Sequence, residues 1–293
     1  MKYKLLSFVC IVSAISFPAQ KQMLDFAGVN YSHNTLKDHE INGKSSEVDA
    51  FINFPILKKE KDLVGGRLTF HHSTTSNVDS NFNQTLSGLD ANIFWEKKLS
   101  DNSKLQVLAM AGIFSDYEDL SWKDFRYSMG GQYRVELGEK FSTGVGLAYA
   151  RQFSGHQINP FVSINYKINE KWELSGLLPI KPKLTYHISK NLKWINELSG
   201  KVESYRLSEN QFQNSIIEYS GWHAMTGLDI FLKKHHHLNI GVGYALRQRM
   251  RLYEDADTNN WKIFTFNLSE KSKPVSEIVF SGFKWTVGYS FQF

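Results

Sequence analysis

A single cysteine, Cys10, is all the sequence offers for covalent cross-linking. It lies inside an N-terminal stretch, MKYKLLSFVCIVSAISFPAQ, in which Lys2 and Lys4 precede an apolar run from Leu5 to Phe17. That is the layout of a secretory signal peptide. A cut after Ala19 puts the bulky Phe17 where small residues are favoured, and a cut after Ala14 fits the small-residue rule better. The expected division is a leader over residues 1–20 and a mature chain over 21–293 with no disulfide. Val9 before Cys10 is not small and the apolar lead is short, which argues against a lipoprotein. An exported chain without cross-links takes its stability from packing or from a closed hydrogen-bond ladder.

Two further absences narrow the class. Beyond the leader no apolar run approaches the ~20 residues that a membrane helix needs, so a helical membrane protein is excluded. Nor is there a concentrated basic block: 34 basic and 29 acidic residues are dispersed, for a net charge of +5. Nucleic-acid binding is therefore not implied. What the chain does have is aromatic side chains, 14% of the total, together with a mean hydropathy of −0.35. One apolar core does not reconcile those two values, but strands that alternate polar and apolar faces do.

The alternation is explicit. In FRYSMGGQYRVEL, Phe125, Tyr127, Met129, Tyr133, Val135 and Leu137 oppose Arg126, Ser128, Gln132, Arg134 and Glu136. In LNIGVGYALRQRMRLY, Leu238, Ile240, Val242, Tyr244 and Leu246 oppose Asn239, Gly241, Gly243, Arg247, Arg249 and Arg251. The last stretch sets Phe283, Trp285, Val287, Tyr289, Phe291 and Phe293 against Lys284, Thr286, Ser290 and Gln292. Weaker versions recur along the chain and bring the count to twelve. Several exceed the ~5–6 residues of globular strands and approach the ~9–11 of a tilted membrane strand.

Short polar links such as Lys58 to Asp62, Gly138 to Lys140 and Asn169 to Lys171 take turns with longer ones, Asn34 to Ser46, Ser73 to Thr85 and Glu254 to Val275. That sorting predicts short periplasmic turns and longer extracellular loops. Trp95 before a short link, and Trp172 and Trp194 after one, are expected at the periplasmic interface. The expected fold is thus all-β, a closed antiparallel transmembrane barrel of about 12 strands. WELSGLLPIKPKLTYHISKNL, Trp172 to Leu192, is the stretch that resists, because Pro179 and Pro182 interrupt it. As an insertion it leaves twelve strands, and as a pair of short strands it makes fourteen.

The ending resembles the C-terminal signal of bacterial outer-membrane β-barrel proteins, with Trp285, Val287, Tyr289, Phe291 and Phe293 matching its alternation. That resemblance implies a Gram-negative outer membrane, its lipid, and the barrel-assembly machinery as a partner during biogenesis. More loosely, the mature chain is similar to uncharacterised single-barrel families of Bacteroidetes, a likeness that names no activity.

Parity makes Arg126, Arg134, Arg247, Arg249, Arg251 and Lys284 candidates for lining the lumen, where an arginine-bearing wall would favour anions. The expected role is a channel or small-solute transporter, the solute unspecified. The alternatives are a plugged structural or surface-interaction barrel, in which the arginines pair with acids such as Asp90, Glu197, Glu203, Glu218 and Asp229, or an outer-membrane lipid-modifying enzyme. No local catalytic frame is present, since neither His156 near Ser154 nor His223 near Asp229 has an informative spacing. His71, His72 and His235 to His237 lack the spacing of a metal site, so neither a metal nor a cofactor is expected.

Overall fold

The computed structural model describes residues 25–38, 42–232, 235–254 and 258–292. The expected leader and Phe293 lie outside the described residues. The strands are β1 (Asp25–Lys37), β2 (Asn42–Lys58), β3 (Asp62–Ser76), β4 (Thr85–Lys98), β5 (Ser103–Ser115), β6 (Phe125–Glu136), β7 (Phe141–Gln152) and β8 (Gly155–Lys167), followed by β9 (Trp172–Leu178), β10 (Lys181–Ser189), β11 (Leu192–Arg206), β12 (Ile216–Leu232), β13 (His236–Tyr253), a small hairpin β14 (Asn260–Ile263) and β15 (Phe266–Ser269), and β16 (Ser276–Gln292). Each wall strand pairs antiparallel with the next, β13 pairs with β16, and β16 returns to β1, which closes the sheet. Closure pairs the backbone all round the lower wall, where no water could satisfy it.

The wall has fourteen strands, not twelve. Trp172–Leu178 and Lys181–Ser189 form a low hairpin between β8 and β11. Proline is tolerated there for local reasons. Pro179 lies in the turn between the two strands, and Pro182 precedes the first β10–β11 rung, Lys183↔Glu197, so neither deletes a donor from a two-sided ladder.

The outward face is apolar along every flank. Leu89, Ile93, Met129, Tyr133, Val145, Leu147, Ile240 and Val242 are all exposed. A globular domain would bury such a belt, whereas a lipid-facing wall displays it. The longer connections, 77–84, 116–124, 207–215 and 254–275, all lie at one end, which also carries the short links 153–154 and 179–180, and the described connections at the other end, 59–61, 99–102, 137–140, 168–171 and 190–191, are all short. The expected long loop Asn34 to Ser46 is mostly strand, because β1 runs on to Lys37 and β2 begins at Asn42, leaving only residues 38–41 between them. Cross-strand pairing extends the wall past the lipid there.

At the extracellular end the barrel does not stay round. The upper halves of β11 and β12 lean inward until Arg206 pairs, in parallel, with Ser115 of β5 across the barrel. Leu86, Phe114, Tyr205, Leu207 and Ile217 then form a buried cluster inside the wall, and Leu36, Phe82, Met250 and Phe280 form another. These two clusters are the core of the molecule.

Candidate functional site: the occluded lumen and a side cleft

Beneath the clusters the lumen is filled by paired charge. His71 bridges Asp49 (2.6 Å) and Asp90 (2.9 Å). Lys201 lies 2.9 Å from Glu203 and 3.8 Å from Glu47, which Lys284 also approaches at 3.5 Å. Glu47 accepts a further bond from Ser32. Six strands, β1, β2, β3, β4, β11 and β16, thus contribute to these two neighbouring sets of pairs. Such sets, once satisfied, fix their members in place.

A second clamp holds the lean. The Arg206 guanidinium donates to Asp124 at 2.7 Å, Asp119 at 3.2 Å and Asn214 at 2.7 Å, tying the loop 116–124 and the turn 207–215 to the top of β11. Arg206 is 2% exposed and Asp124 is fully buried. Burial pushes the Asp124 carboxyl above its usual range although the arginine pulls it down. The loop is locally prepared for this contact, since Ser121 and Asp124 form a reciprocal capping box around Trp122–Asp124.

The candidate lumen residues divide. Arg126 and Arg134 lie on the inward face of β6. Arg126 donates to Gln152 (2.8 Å) and the Ser204 carbonyl (3.0 Å) and stacks over Phe114, while Arg134 donates to Ser142 near the periplasmic end. Lys284 is inward on β16. Arg249 and Arg251 are not where their parity placed them. β13 carries a bulge between Ala245 and Gln248 against both neighbours, and the extra residue reverses the alternation above it. Met250 therefore enters the inner cluster. Arg249 and Arg251 turn away from it toward Glu277, and Arg251 also approaches Glu218. Arg247 sits in the bulge and is exposed.

Glu218 in turn receives a short bond from Lys262 of β14. This contact belongs to the unusual part of the wall. β14 pairs in parallel with the upper end of β8, Asn260↔Gly155 to Ile263↔Ile158, above the short β9–β10 hairpin. Trp222 donates to Thr265 (3.0 Å) and Gln157 to the Phe264 carbonyl (2.8 Å), so the hairpin roofs the gap that β9–β10 leaves. Between roof and floor lies a cavity of about 280 Å³, reached by Arg126, Gln152, Gln157, Ile180, Val202 and Trp222.

Trp95, Trp172 and Trp194 lie at the periplasmic ends of their strands. Trp172 packs on Tyr186 and Trp194, and Trp95 donates to Asp62. Trp285, Val287, Tyr289 and Phe291 share the outward parity of β16, opposite Lys284. The histidines disperse among unlike partners: His235 with the Gln292 carbonyl, His236 with Tyr289, His237 with Asp229, and His72 with Ser87. Among the described residues no group of three or more His, Cys, Asp or Glu side chains is placed to hold a metal ion.

A model of one protein family, described as a domain of unknown function (DUF6268), matches residues 23–285. The chain belongs to the DUF6268 family. No curated protein matches it in sequence. Among solved structures it is similar to the COG4313 outer membrane channel from Pseudomonas putida F1, at 10% identity over 91% of this chain and 94% of that one, with a TM-score of 0.49. It is similar also to outer membrane phospholipase A from Escherichia coli (8% identity, 92% and 98% covered, TM-score 0.40) and to the translocator domain of the autotransporter NalP from Neisseria meningitidis (10%, 94% and 90%, 0.39). With its closed wall, apolar belt and sorted connections, this DUF6268 chain is an outer-membrane β-barrel protein of a Gram-negative bacterium.

The leaning top and its clamp escaped sequence reading. Arg206, Asp119, Asp124 and Lys262 carried no periodic signal, since each works through a partner more than forty positions away.

Proposed function

We propose that the protein is an occluded barrel that works at its outer surface and within the outer leaflet, without passing solute along its axis. One observation carries this reading: the upper halves of β11 and β12 cross the barrel mouth and are clamped there through Arg206. The pairing of Lys201, Lys284 and His71 with carboxylates supports it, because charges so engaged line no free path. Lipid surrounds the belt, and the barrel-assembly machinery is the partner that the outward residues of β16 fit. The arginine-lined channel is the second reading, favoured by Arg126, Arg134 and Lys284 on inward parity.

Planar-bilayer recording separates the two. Wild-type protein is expected to be silent across salts and voltages. Arg206→Ala leaves Asp124 buried and unpaired, a loss on the order of 3–5 kcal/mol, and openings are expected to appear as the clamp fails. Stable unit conductance from the wild type would return the protein to the channel class.

A further inference from the structure

The wall is too low on one side. β9 has seven residues. At ~3.3 Å per residue and a tilt near ~40° it rises only about 18 Å, whereas the apolar band of an outer-membrane barrel is ~25 Å tall. Trp172, packed on Tyr186 and Trp194, stands at the lower end of β9, where an indole ring favours the interface. The gap above the hairpin therefore opens inside the hydrocarbon, at the depth of the outer leaflet. Its edges are β8 from Asn159 to Phe161, between the last β14 rung at Ile158 and the first β9 rung at Val162, and β11 above Gly200, whose N–H donates to the Ile180 carbonyl at the tip of the hairpin.

The two ends of the cavity behind this gap differ in chemistry. Toward the lipid, the face of β11 that carries the exposed Trp194 and Leu198 continues without a break through Gly200 and Val202 into the cavity, joined by Trp222 of β12. The roof is apolar as well, with Phe266 and Leu268 of β15 62% and 60% exposed, as befits side chains that meet lipid and not water. At the inner end stands Arg126. Its side chain is 5% exposed, its Nε has no hydrogen-bond partner, and among the described residues it makes no direct ion pair, Glu203 and Asp90 acting on it only at longer range. Lys201, the other cation reaching the cavity, is already engaged by Glu203. A buried guanidinium with an unused donor calls for an anionic acceptor.

We infer that this cleft binds a single-chain amphiphile bearing one anionic head group, entering sideways from the outer leaflet, with its head at Arg126 and its tail along Val202 and Trp222. A molecule dissolved in lipid reaches the site without passing the closed mouth, so the assignment goes beyond axial occlusion and stands or falls separately from it. The site is a pocket of mixed lining in which Lys201 and Glu203 pair with each other and Arg126 is left without a direct ion pair, a few placed polar groups among apolar ones being the usual composition of a small-molecule site.

The test uses the full chain in phosphatidylcholine nanodiscs and a short-range fluorescence quencher, 10-bromodecanoate, with 10-bromodecanol as its uncharged counterpart. Bromodecanoate is expected to quench saturably, the saturable part vanishing in Trp222→Phe, with the alcohol at least tenfold weaker. Val202→Phe, which fills the cleft, is expected to abolish saturable quenching. Arg126→Gln is expected to remove the preference for acid over alcohol. Should Arg126→Gln not yield a heat-modifiable barrel, Val202→Phe and the acid–alcohol comparison decide alone. Non-saturable quenching, equal binding of acid and alcohol, or an unaffected Val202→Phe would overturn the assignment. Phosphatidylglycerol added to the discs is expected to leave the curve unmoved, and displacement by it would make a bilayer phospholipid the occupant and reject a single-chain ligand. Conductance plays no part in any of these readouts.

Discussion

Arginine illustrates how one residue type takes three roles here according to the face it occupies. Arg126 is inward, buried over Phe114, and points into a cavity; Arg206 is a clamp; Arg249 and Arg251 pair with acids on the far side of β13. Parity is what the sequence makes legible, and it is legible wherever no residue is inserted, as on β6, where Arg126 and Arg134 share the face that Gln132 uses to reach Gln106. The energetic consequence is measurable at a single outward position. Ile93, midway along β4, is 55% exposed on the apolar face, so Ile93→Arg would put a charge in hydrocarbon at a cost of about 2–4 kcal/mol. Gln132→Arg, on the watered side of the same wall, is expected to cost much less. Urea titration of protein folded into phosphatidylcholine vesicles compares them, and equal losses would mean that the two faces are assigned the wrong way round.

At the scale of elements, long alternating runs announced most of the wall, and two local irregularities did not. One is the β9–β10 hairpin, whose prolines read as an interruption because sequence shows a missing donor but not that the neighbouring strand has ended before it matters. The other is the β13 bulge. LRQRMRL alternates without a visible break, so only the partners β12 and β16 disclose the extra residue. The bulge sets the contents of the mouth, since a one-residue slip exchanges the two faces of everything beyond it. Deleting Arg247 would remove the extra residue while leaving Gln248 opposite Phe280 and Met250 opposite Ile278, so both faces above the bulge keep their present sides. The yield of heat-modifiable barrel on unboiled gels is therefore expected to stay close to wild type, whereas Met250→Arg, which puts an unpaired charge into the cluster of Leu36, Phe82 and Phe280, is expected to lower it severely. A deletion that folds as poorly as Met250→Arg would show that the bulge is needed for the wall itself and not only to set which face enters the mouth.

For the whole molecule the governing condition is closure, which no segment can satisfy alone. β16 has β1 on one side and β13 on the other, and its last rungs are Val29↔Tyr289, Gly28↔Ser290, Ala27↔Phe291 and Asp25↔Gln292 toward β1, and Leu238↔Tyr289, His237↔Ser290 and His236↔Phe291 toward β13. Removing residues 289–293 takes away both sets together. The unpaired groups left on β1 and β13 would then face lipid at several kcal/mol apiece, more than the 5–15 kcal/mol by which folded proteins are commonly stable. The truncated chain is therefore expected to give no heat-modifiable species either in membranes or on refolding of purified protein into vesicles. The paired variant Tyr289→Ala with Phe291→Ala keeps every backbone rung and loses only outward side chains, which are the ones an assembly machinery would read. It is expected to refold in vesicles at close to wild-type yield while reaching the outer membrane of cells poorly. If instead the double variant failed in vesicles as completely as the truncation, the last strand would be held by its aromatic contacts and not by the ladder, and closure would cease to be the reason that the chain forms a barrel.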